Sequence, residues 1–218
     1  MTAEIIPFNP LDKKNLGASV AEAMLGSKVH PLGDLNDFKG AGIYAIYYSG
    51  DFEPYGIIAK RNEREKTTPI YVGKAIPAGT RKGGGKTTAT VGRPLINRLA
   101  EHAESIRAVS NLDIEDFTCR FLVVDDIWIP LGESLLIARY SPLWNSLIDG
   151  FGNHDPGRGR YNGMRPRWDV LHPGRGWAEK CRPRPETPDE ISRDVQTYLR
   201  NMIFPESDRF IFSENEPR

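Results

Sequence analysis

Residues 42–48 read Gly-Ile-Tyr-Ala-Ile-Tyr-Tyr, a run dominated by β-branched and aromatic side chains that favour a strand. The run ends at Ser49-Gly50, a pair typical of turns, so we predict a buried strand here. A second strand is predicted at residues 69–73, Pro-Ile-Tyr-Val-Gly, about twenty mostly polar residues later. Together the two runs predict a hairpin with a long, basic connection.

Two helices and one more strand are predicted to complete the core. Pro94 suits the first turn of a helix, and apolar residues then recur at helical spacing as far as Ile106. Residues 117–124 predict a third strand, and residues 131–140 predict a helix that ends before Pro142. The expected fold class is therefore α+β, with a small antiparallel sheet of about three core strands flanked by helices.

Both ends of the chain predict helices outside this core. Residues 18–25 suggest a short helix closed by Gly26 in the left-handed conformation. Residues 187–190, Thr-Pro-Asp-Glu, form a capping box with proline in the first helical turn. The apolar face of the helix that follows consists of Ile191, Val195, Tyr198 and Met202. Either terminal helix could pack on its own chain or form a contact between two copies of it.

Charge is balanced over the whole chain but unevenly distributed along it. The 29 basic and 29 acidic side chains give no net charge, which alone argues against a polyanionic partner. Residues 60–98, however, carry ten Lys and Arg against two Glu, and residues 155–184 carry eight against three acids. Residues 186–218 hold eight acids and four Arg. We therefore expect two phosphate-binding segments and an acidic end that stays away from phosphate.

The composition argues against several classes of protein. Cys119 and Cys181 are too few for a zinc cage and are expected to be free thiols. No apolar run approaches a membrane span and the N-terminal residues do not resemble a signal peptide, so a cytoplasmic protein is expected. The glycine-rich residues 79–92 resemble a phosphate-binding loop, but Thr80 stands where the Walker pattern needs glycine. No nucleotide cofactor is expected.

The order of five motifs resembles the GIY-YIG nuclease superfamily. The second motif reads Tyr-Val-Gly where the family name has Tyr-Ile-Gly, and the resemblance covers roughly residues 40–146. An Arg followed four residues later by His, with basic elaborations around a short core, is similar to the type II restriction endonuclease branch. The motifs are Gly42-Ile43-Tyr44, Tyr71-Val72-Gly73, Arg98 with His102, Glu133 and Asn145.

The resemblance implies that four of these residues act directly on a phosphodiester. Tyr44 is the expected general base, although an unperturbed phenol has a pKa near ~10 and needs help to ionise. His102 could accept the proton or hydrogen-bond Tyr44, and Tyr71 could hold the same water or a phosphate oxygen. Arg98, one helical turn before His102, would grip the scissile phosphate.

The remaining two motif residues are expected to serve the metal and the sheet. Glu133 is the only acid in the apolar stretch of residues 127–138, and a hard oxygen ligand suits one Mg²⁺ that keeps several waters. We expect Glu133 to bind Mg²⁺, with Mn²⁺ able to substitute. Asn145 would either orient Glu133 or brace the sheet through amide hydrogen bonds.

Contacts to duplex DNA are expected in the basic segments, where lysine and arginine give salt-dependent phosphate binding. Arg predominates over Lys in residues 155–184, and Arg can read guanine through two hydrogen bonds, so base readout is expected there. The candidates in the hairpin connection and the glycine-rich loop are Lys60, Arg61, Arg64, Arg81, Lys82 and Lys86. The candidates in the later segment are Arg158, Arg160, Arg165, Arg167 and Arg175.

We expect one compact domain in four parts. Residues 1–39 form an N-terminal helical extension, and residues 40–146 form the GIY-YIG nuclease core with basic loop insertions. Residues 147–185 form an Arg/Gly/Pro-rich segment that contacts DNA, and residues 186–218 form a C-terminal helix and an acidic tail.

The expected function is that of a type II restriction endonuclease that breaks both strands of a short, palindromic, G·C-containing DNA site. Because a double-strand break needs two opposed active centres, a homodimer is expected. A structure-selective repair or mobile-element nuclease is one alternative, although such enzymes usually carry a further domain. A non-catalytic DNA-binding protein on the same fold is the other, although it need not keep Tyr44, Arg98, His102 and Glu133 together.

Overall fold

The computed structural model describes residues 9, 11–76 and 92–204. Its centre is a four-stranded antiparallel sheet in the order β1-β4-β2-β3. The strands are β1 (His30–Pro31), β2 (Gly42–Tyr48), β3 (Tyr71–Ala75) and β4 (Phe117–Val123). The predicted α+β class and the three core strands are confirmed, and β1 is an additional two-residue strand paired with β4.

Helices surround the sheet on both faces, and the described residues contain seven of them. Each predicted helix is present, with its boundaries within a few residues of the expected ones except at the start of the first. The helices are α1 (Lys13–Gly26), α2 (Gly56–Arg61), α3 (Pro94–Arg107), α4 (Ile129–Tyr140), α5 (Leu143–Ser146), α6 (Arg167–Leu171) and α7 (Pro188–Asn201). None of them combines the length and hydropathy that crossing a membrane would require.

The central strand β2 divides the apolar interior into two clusters. Side chains alternate between the faces of a strand, and all seven residues of β2 are buried. Ile43, Ala45 and Tyr47 pack with α1 and α4. Tyr44, Ile46 and Tyr48 pack on the other face with α3, α5, α6 and α7. The tyrosine of the first sequence motif therefore lies on the α3 face.

Helix α1 ends differently from the prediction. Gly26 is its last residue and is not left-handed, so the predicted glycine cap was wrong. Ser27 follows in an extended conformation, and its hydroxyl donates to the Met24 carbonyl at 2.8 Å. The Arg120 guanidinium, on β4, donates to the Leu25 and Ser27 carbonyls. Side-chain donors satisfy the last carbonyls of the helix, so a left-handed residue is not needed.

Both terminal helices pack on their own chain. The capping box of α7 is confirmed, because the Glu190 amide donates to Thr187 Oγ1 at 3.3 Å and the Thr187 amide donates to Glu190 Oε2 at 2.8 Å. The most deeply buried residues of α7 are Ile191, Val195 and Leu199, whereas Tyr198 and Met202 lie at the edge of this face. Helix α1 buries Gly17, Ala21 and Met24 in its contacts with α4 and β4.

A chain of buried hydrogen bonds ties the segment after the core to the hairpin connection. Trp144 Nε1 donates to Tyr55 Oη at 2.9 Å, and Tyr55 Oη lies 2.6 Å from His172 Nε2. His172 Nδ1 lies 2.9 Å from the side-chain oxygen of Asn111. A neutral imidazole fits these partners, since Nε2 accepts from Tyr55 and Nδ1 donates to Asn111. Burial lowers the pKa of His172 from 6.5 to about 3.

Acidification is therefore expected to destabilise the fold through His172. Its folded-state pKa lies below the unfolded value, so only the unfolded chain takes up this proton at mildly acidic pH. The stability that the neutral imidazole provides is complete above pH 6.5 and is lost as the pH falls toward about 3. Between about pH 7 and pH 5 the loss should be about 2 kcal/mol, measurable by urea unfolding at the two pH values.

The comparison of variants isolates this contribution. In His172→Gln the pH-dependent loss of stability should shrink by about 2 kcal/mol, whatever the variant's stability at neutral pH. His30→Gln is the matched control, because His30 is only partly buried, and it should keep most of the wild-type pH dependence. Equal pH dependence in His172→Gln and the wild type would contradict the prediction.

Candidate active site

Tyr44 and His102 form the buried centre of a polar cluster on the α3 face of the sheet. Tyr44 Oη, on β2, lies 2.6 Å from His102 Nε2, on α3, and each residue is 1% exposed. Burial lowers the pKa of His102 well below its usual value, and the positive charges of Arg98 and Arg175 lower it further. The imidazole is therefore neutral, and its Nε2 accepts a hydrogen bond from the Tyr44 hydroxyl.

Tyr71 and Arg98 border this pair. The Tyr71 ring, on β3, lies 6.3 Å from the Tyr44 ring and 5.2 Å from the His102 ring. Burial raises the pKa of Tyr44 well above its usual value; Tyr71 adds to the rise, while Arg98 opposes it. Burial also raises the pKa of Tyr71, again opposed by Arg98. Both phenols are therefore protonated at neutral pH in this state.

The two motif glycines make room for the tyrosine and for the neighbouring strand. A Cβ atom at Gly73 would lie 2.4 Å from Tyr44 Oη, and one at Gly42 would lie 1.9 Å from the Leu122 carbonyl oxygen. Both distances are shorter than any real carbon contact, and the atom that Gly42 would meet belongs to the backbone. Glycine is therefore required at Gly73 for the ring of Tyr44 and at Gly42 for the pairing of β2 with β4.

Glu133 approaches from the opposite face of the sheet, on α4. Its carboxylate forms an ion pair with Lys74 on the edge strand β3 and is largely buried, with 17% side-chain exposure. Its negative charge contributes to the raised pKa of Tyr44 and Tyr71. The carboxylate therefore acts electrostatically on both phenols, although it belongs to the other layer of the fold.

Lys74 was not identified from the sequence. It directly follows the Tyr-Val-Gly motif, and the alternation of side chains places it on the α4 face, opposite Tyr71 and Gly73. That alternation was the available signal, but it does not reveal which residue of α4 the lysine meets.

Asn145 braces the edge strand. Its side-chain oxygen accepts from the Val72 amide at 2.8 Å, and its amide nitrogen donates to the Val72 carbonyl, also at 2.8 Å. Of the two roles expected from the sequence, these contacts correspond to bracing the sheet. They fix the backbone between Tyr71 and Gly73.

Residues 150–154, which we call the cover turn, close over the cluster and were missed by the sequence analysis. The Phe151 ring stacks on the His102 ring, with centroids 4.6 Å apart and an angle of 15° between the planes. Gly152 lies against Tyr71, because a Cβ atom there would come within 2.8 Å of Tyr71 Oη. The sequence around this turn has no periodic pattern that could place it near α3.

The residues predicted to bind DNA fall into three groups. Five are exposed on the described surface, where Arg61 also lies 4.1 Å from the Phe204 ring. Three others, in the glycine-rich loop, are outside the described residues. The exposed group is Lys60, Arg61, Arg64, Arg158 and Arg160. The group outside the described residues is Arg81, Lys82 and Lys86.

The third group consists of arginines that are engaged within the chain. Arg165 donates to the Ala178 and Glu179 carbonyls. Arg167 forms ion pairs with Glu186 and Asp194.

Arg175, another of the predicted DNA contacts, is the most fully engaged of these arginines. It is buried, with 5% exposure, and its guanidinium binds Asp169 and three backbone carbonyls. These contacts use all five donors of the guanidinium, so the structure gives this arginine an intramolecular role.

The family profile described as the Eco29kI GIY-YIG domain matches residues 36–199, which is well over half of the chain. No curated protein sequence matches the chain. The matched range includes every candidate catalytic residue, the cover turn and most of α7. The chain therefore belongs to the Eco29kI GIY-YIG family of restriction endonucleases.

Proposed function

We propose that the protein is a type II restriction endonuclease of the prokaryotic cytoplasm that cuts both strands of a short, palindromic, G·C-containing DNA site. Membership of the family implies an endonuclease that acts on DNA. The convergence of Tyr44, His102, Tyr71 and Arg98 on one face of the sheet carries the proposal. Glu133 lies at the adjacent sheet edge.

The Tyr44–His102 pair supplies the base for water activation. In the resting state a neutral phenol donates to a neutral imidazole, because burial raises the pKa of Tyr44 and lowers that of His102. As water attacks phosphorus, Tyr44 takes the water proton and passes its own proton to His102 Nε2. The bond from phosphorus to the 3′ oxygen then breaks. This relay avoids a free phenolate, which the buried site disfavours.

Arg98 and Tyr71 provide charge and hydrogen bonds for the phosphate. Arg98 lies beside both phenols and its side chain is 21% exposed, so it remains accessible from the solvent side. A guanidinium binds phosphate through two parallel hydrogen bonds and stabilises the charge of the five-coordinate phosphorus. Tyr71 orients the attacking water or a phosphate oxygen.

The donor set fits a magnesium ion held by one carboxylate. Nucleases of this superfamily generally depend on a divalent metal. No group of three or more His, Cys, Asp or Glu suited to a metal occurs in the part of the chain that the structure describes. Mg²⁺ is bound in many sites by one or two carboxylates and keeps its remaining waters, so Glu133 is sufficient as the protein ligand, with Mn²⁺ as a substitute. The bound ion would stabilise the charge on the leaving 3′ oxygen.

DNA binding is assigned to the two basic segments that flank the site. The exposed arginines of residues 147–185 are candidates for base contacts, and the hairpin connection and glycine-rich loop are candidates for phosphate contacts. The phosphate set is Lys60, Arg61, Arg64, Arg81, Lys82 and Lys86, and the base-reading set is Arg158 and Arg160 with the partly engaged Arg165 and Arg167. In this proposal the domain keeps its four parts, at residues 1–39, 40–146, 147–185 and 186–218.

Digestion of a panel of plasmid and phage DNA with Mg²⁺ tests the function. Wild type should give discrete fragments with uniform end sequences, whereas Glu133→Gln should cleave about a thousandfold more slowly and still bind the same sites. Glu115→Gln removes an exposed charge of the same kind and should cleave normally. Smears, or cleavage of branched DNA alone, would favour a repair nuclease. Full activity of Glu133→Gln would exclude Glu133 as the metal ligand.

The base assignment is tested by Tyr44→Phe, which keeps the ring and removes the hydroxyl. The single-turnover rate on a cognate duplex should fall by about 10²–10⁴-fold while the protein stays folded by circular dichroism. Tyr47→Phe is the matched control, because Tyr47 lies on the same strand and faces α1 and α4. A wild-type rate for Tyr44→Phe would rule out the relay.

A homodimer on DNA is proposed because each chain contributes one catalytic cluster from its described residues. Sedimentation velocity of the protein, alone and with a duplex that carries one site, should show two chains per duplex. The buried faces of α1 and α7 already pack within the chain, so the contact must use other surfaces. A strict one-to-one complex that nicks one strand per encounter would contradict the dimer.

A further inference from the structure

The cover turn supplies two acceptors to the guanidinium of Arg98. The Gly152 carbonyl accepts from Arg98 Nη2 at 2.7 Å, and His154 Nε2 lies 2.6 Å from Arg98 Nη1. The same Nη1 also donates to Glu101 Oε2 at 2.8 Å. His154 must be neutral at Nε2 to accept this hydrogen bond, so its lone pair points at the guanidinium.

Arg175 holds the cover turn in place from behind. Its guanidinium donates to the carbonyls of Gly150 at 2.9 Å, Phe151 at 3.0 Å and Asn153 at 3.2 Å. Three of the five residues of the turn are therefore bound by one buried side chain. Such a contact fixes the backbone on both sides of Gly152 and sets the position from which His154 projects.

The anchor is itself held rigidly. Asp169 accepts from Arg175 Nε at 2.7 Å and from Nη2 at 2.6 Å, and Asp169 is 3% exposed. The guanidinium also lies 4.5 Å from the Trp168 ring and 4.8 Å from the Trp177 ring. Charge neutralisation and ring contacts offset the cost of burying the guanidinium, so the turn rests on a stable base.

Without the turn, Arg98 would keep its contacts with Tyr44 and Tyr71, but its Nη1 would keep only the local pair with Glu101 on its own helix. An exposed pair of this kind contributes little and leaves the guanidinium several rotamers. The His154 side chain is 64% exposed and makes no contribution to the core, yet it reaches Arg98 from a distant part of the sequence. The clearest consequence of the contact between His154 and Arg98 is therefore the orientation of the Arg98 guanidinium.

We propose that His154 is a positioning residue for Arg98. Its Nε2 holds the guanidinium toward Tyr44 and Tyr71 before DNA arrives, and Arg175 keeps the cover turn where this contact can form. The inference rests on the proposed role of Arg98 in binding the scissile phosphate. A direct contact of His154 with DNA is the competing explanation.

The test compares His154→Ala, which removes the acceptor, with His154→Gln, whose side-chain oxygen can restore it. At saturating DNA and Mg²⁺, His154→Ala should cleave about tenfold more slowly in a single turnover, since small displacements of a catalytic group are costly. The Kd for cognate DNA should stay within about twofold, and His154→Gln should recover most of the rate. Asn153→Ala is the matched control, because this exposed neighbour holds Arg175 only through its backbone.

A second measurement needs neither metal nor DNA. The two Nη nitrogens of Arg98 should give separate ¹⁵N NMR signals in the wild type and in His154→Gln. In His154→Ala the Nη1 signal should shift and the two signals should exchange faster, because Nη1 loses an acceptor while the Gly152 carbonyl still holds Nη2. Unchanged Arg98 signals in His154→Ala would overturn the proposal, even if Arg98 proved unimportant for cleavage. Weaker DNA binding with an unchanged rate at saturation would also overturn it, in favour of a direct DNA contact.

The activity of Arg98→Ala distinguishes a failure of the phosphate-binding role of Arg98 from a failure of the positioning role of His154. Normal cleavage by Arg98→Ala would refute the phosphate-binding role on which the proposal depends, whereas the NMR result reports only the contact between Arg98 and His154. A wild-type rate for His154→Ala, with Arg98→Ala inactive, would overturn the positioning role and leave the proposed function intact.

Discussion

The buried hydrogen bond between Tyr44 and His102 joins the central strand of the sheet to helix α3. It requires a flat ring against a bare backbone, which Gly73 provides, and a neutral imidazole, which burial provides. The phenol of Tyr44 stays protonated and donates, while the imidazole of His102 stays neutral and accepts. Every other residue of the cluster is arranged around this pair, since Tyr71 and Phe151 both contact the His102 ring.

The edge strand β3 connects chemistry from two layers of the fold. Its odd-numbered residues face α3, while Lys74 meets Glu133 on α4. An edge strand lacks a partner on one side, and the Asn145 side chain takes that place at Val72. The bracing amide therefore keeps the two halves of the site in register.

Local patterns in the sequence were sufficient for the elements that depend on local physics. The capping box at Thr187 and the spacing of Arg98 and His102 follow from the geometry of a single helix. The structure differs where contacts join distant segments. Arg175 has the same side chain as the exposed arginines, and it is distinguished from them by its contacts with Asp169 and with the carbonyls of the cover turn. Likewise, Gly26 does not form the predicted left-handed cap, because Arg120 on strand β4 binds the carbonyls at the end of α1.

The anchoring of the cover turn by Arg175 also bears on the order in which the protein becomes competent during synthesis. Contacts between segments far apart in sequence form only after the later segment has left the ribosome, and closing such long loops is slow. The strands and α3 leave the ribosome before Arg175, and until Arg175 anchors the cover turn, Arg98 lacks the support of Gly152 and His154. For an enzyme that breaks DNA, an incompletely made chain would thus hold its cutting residues in a poorly ordered state.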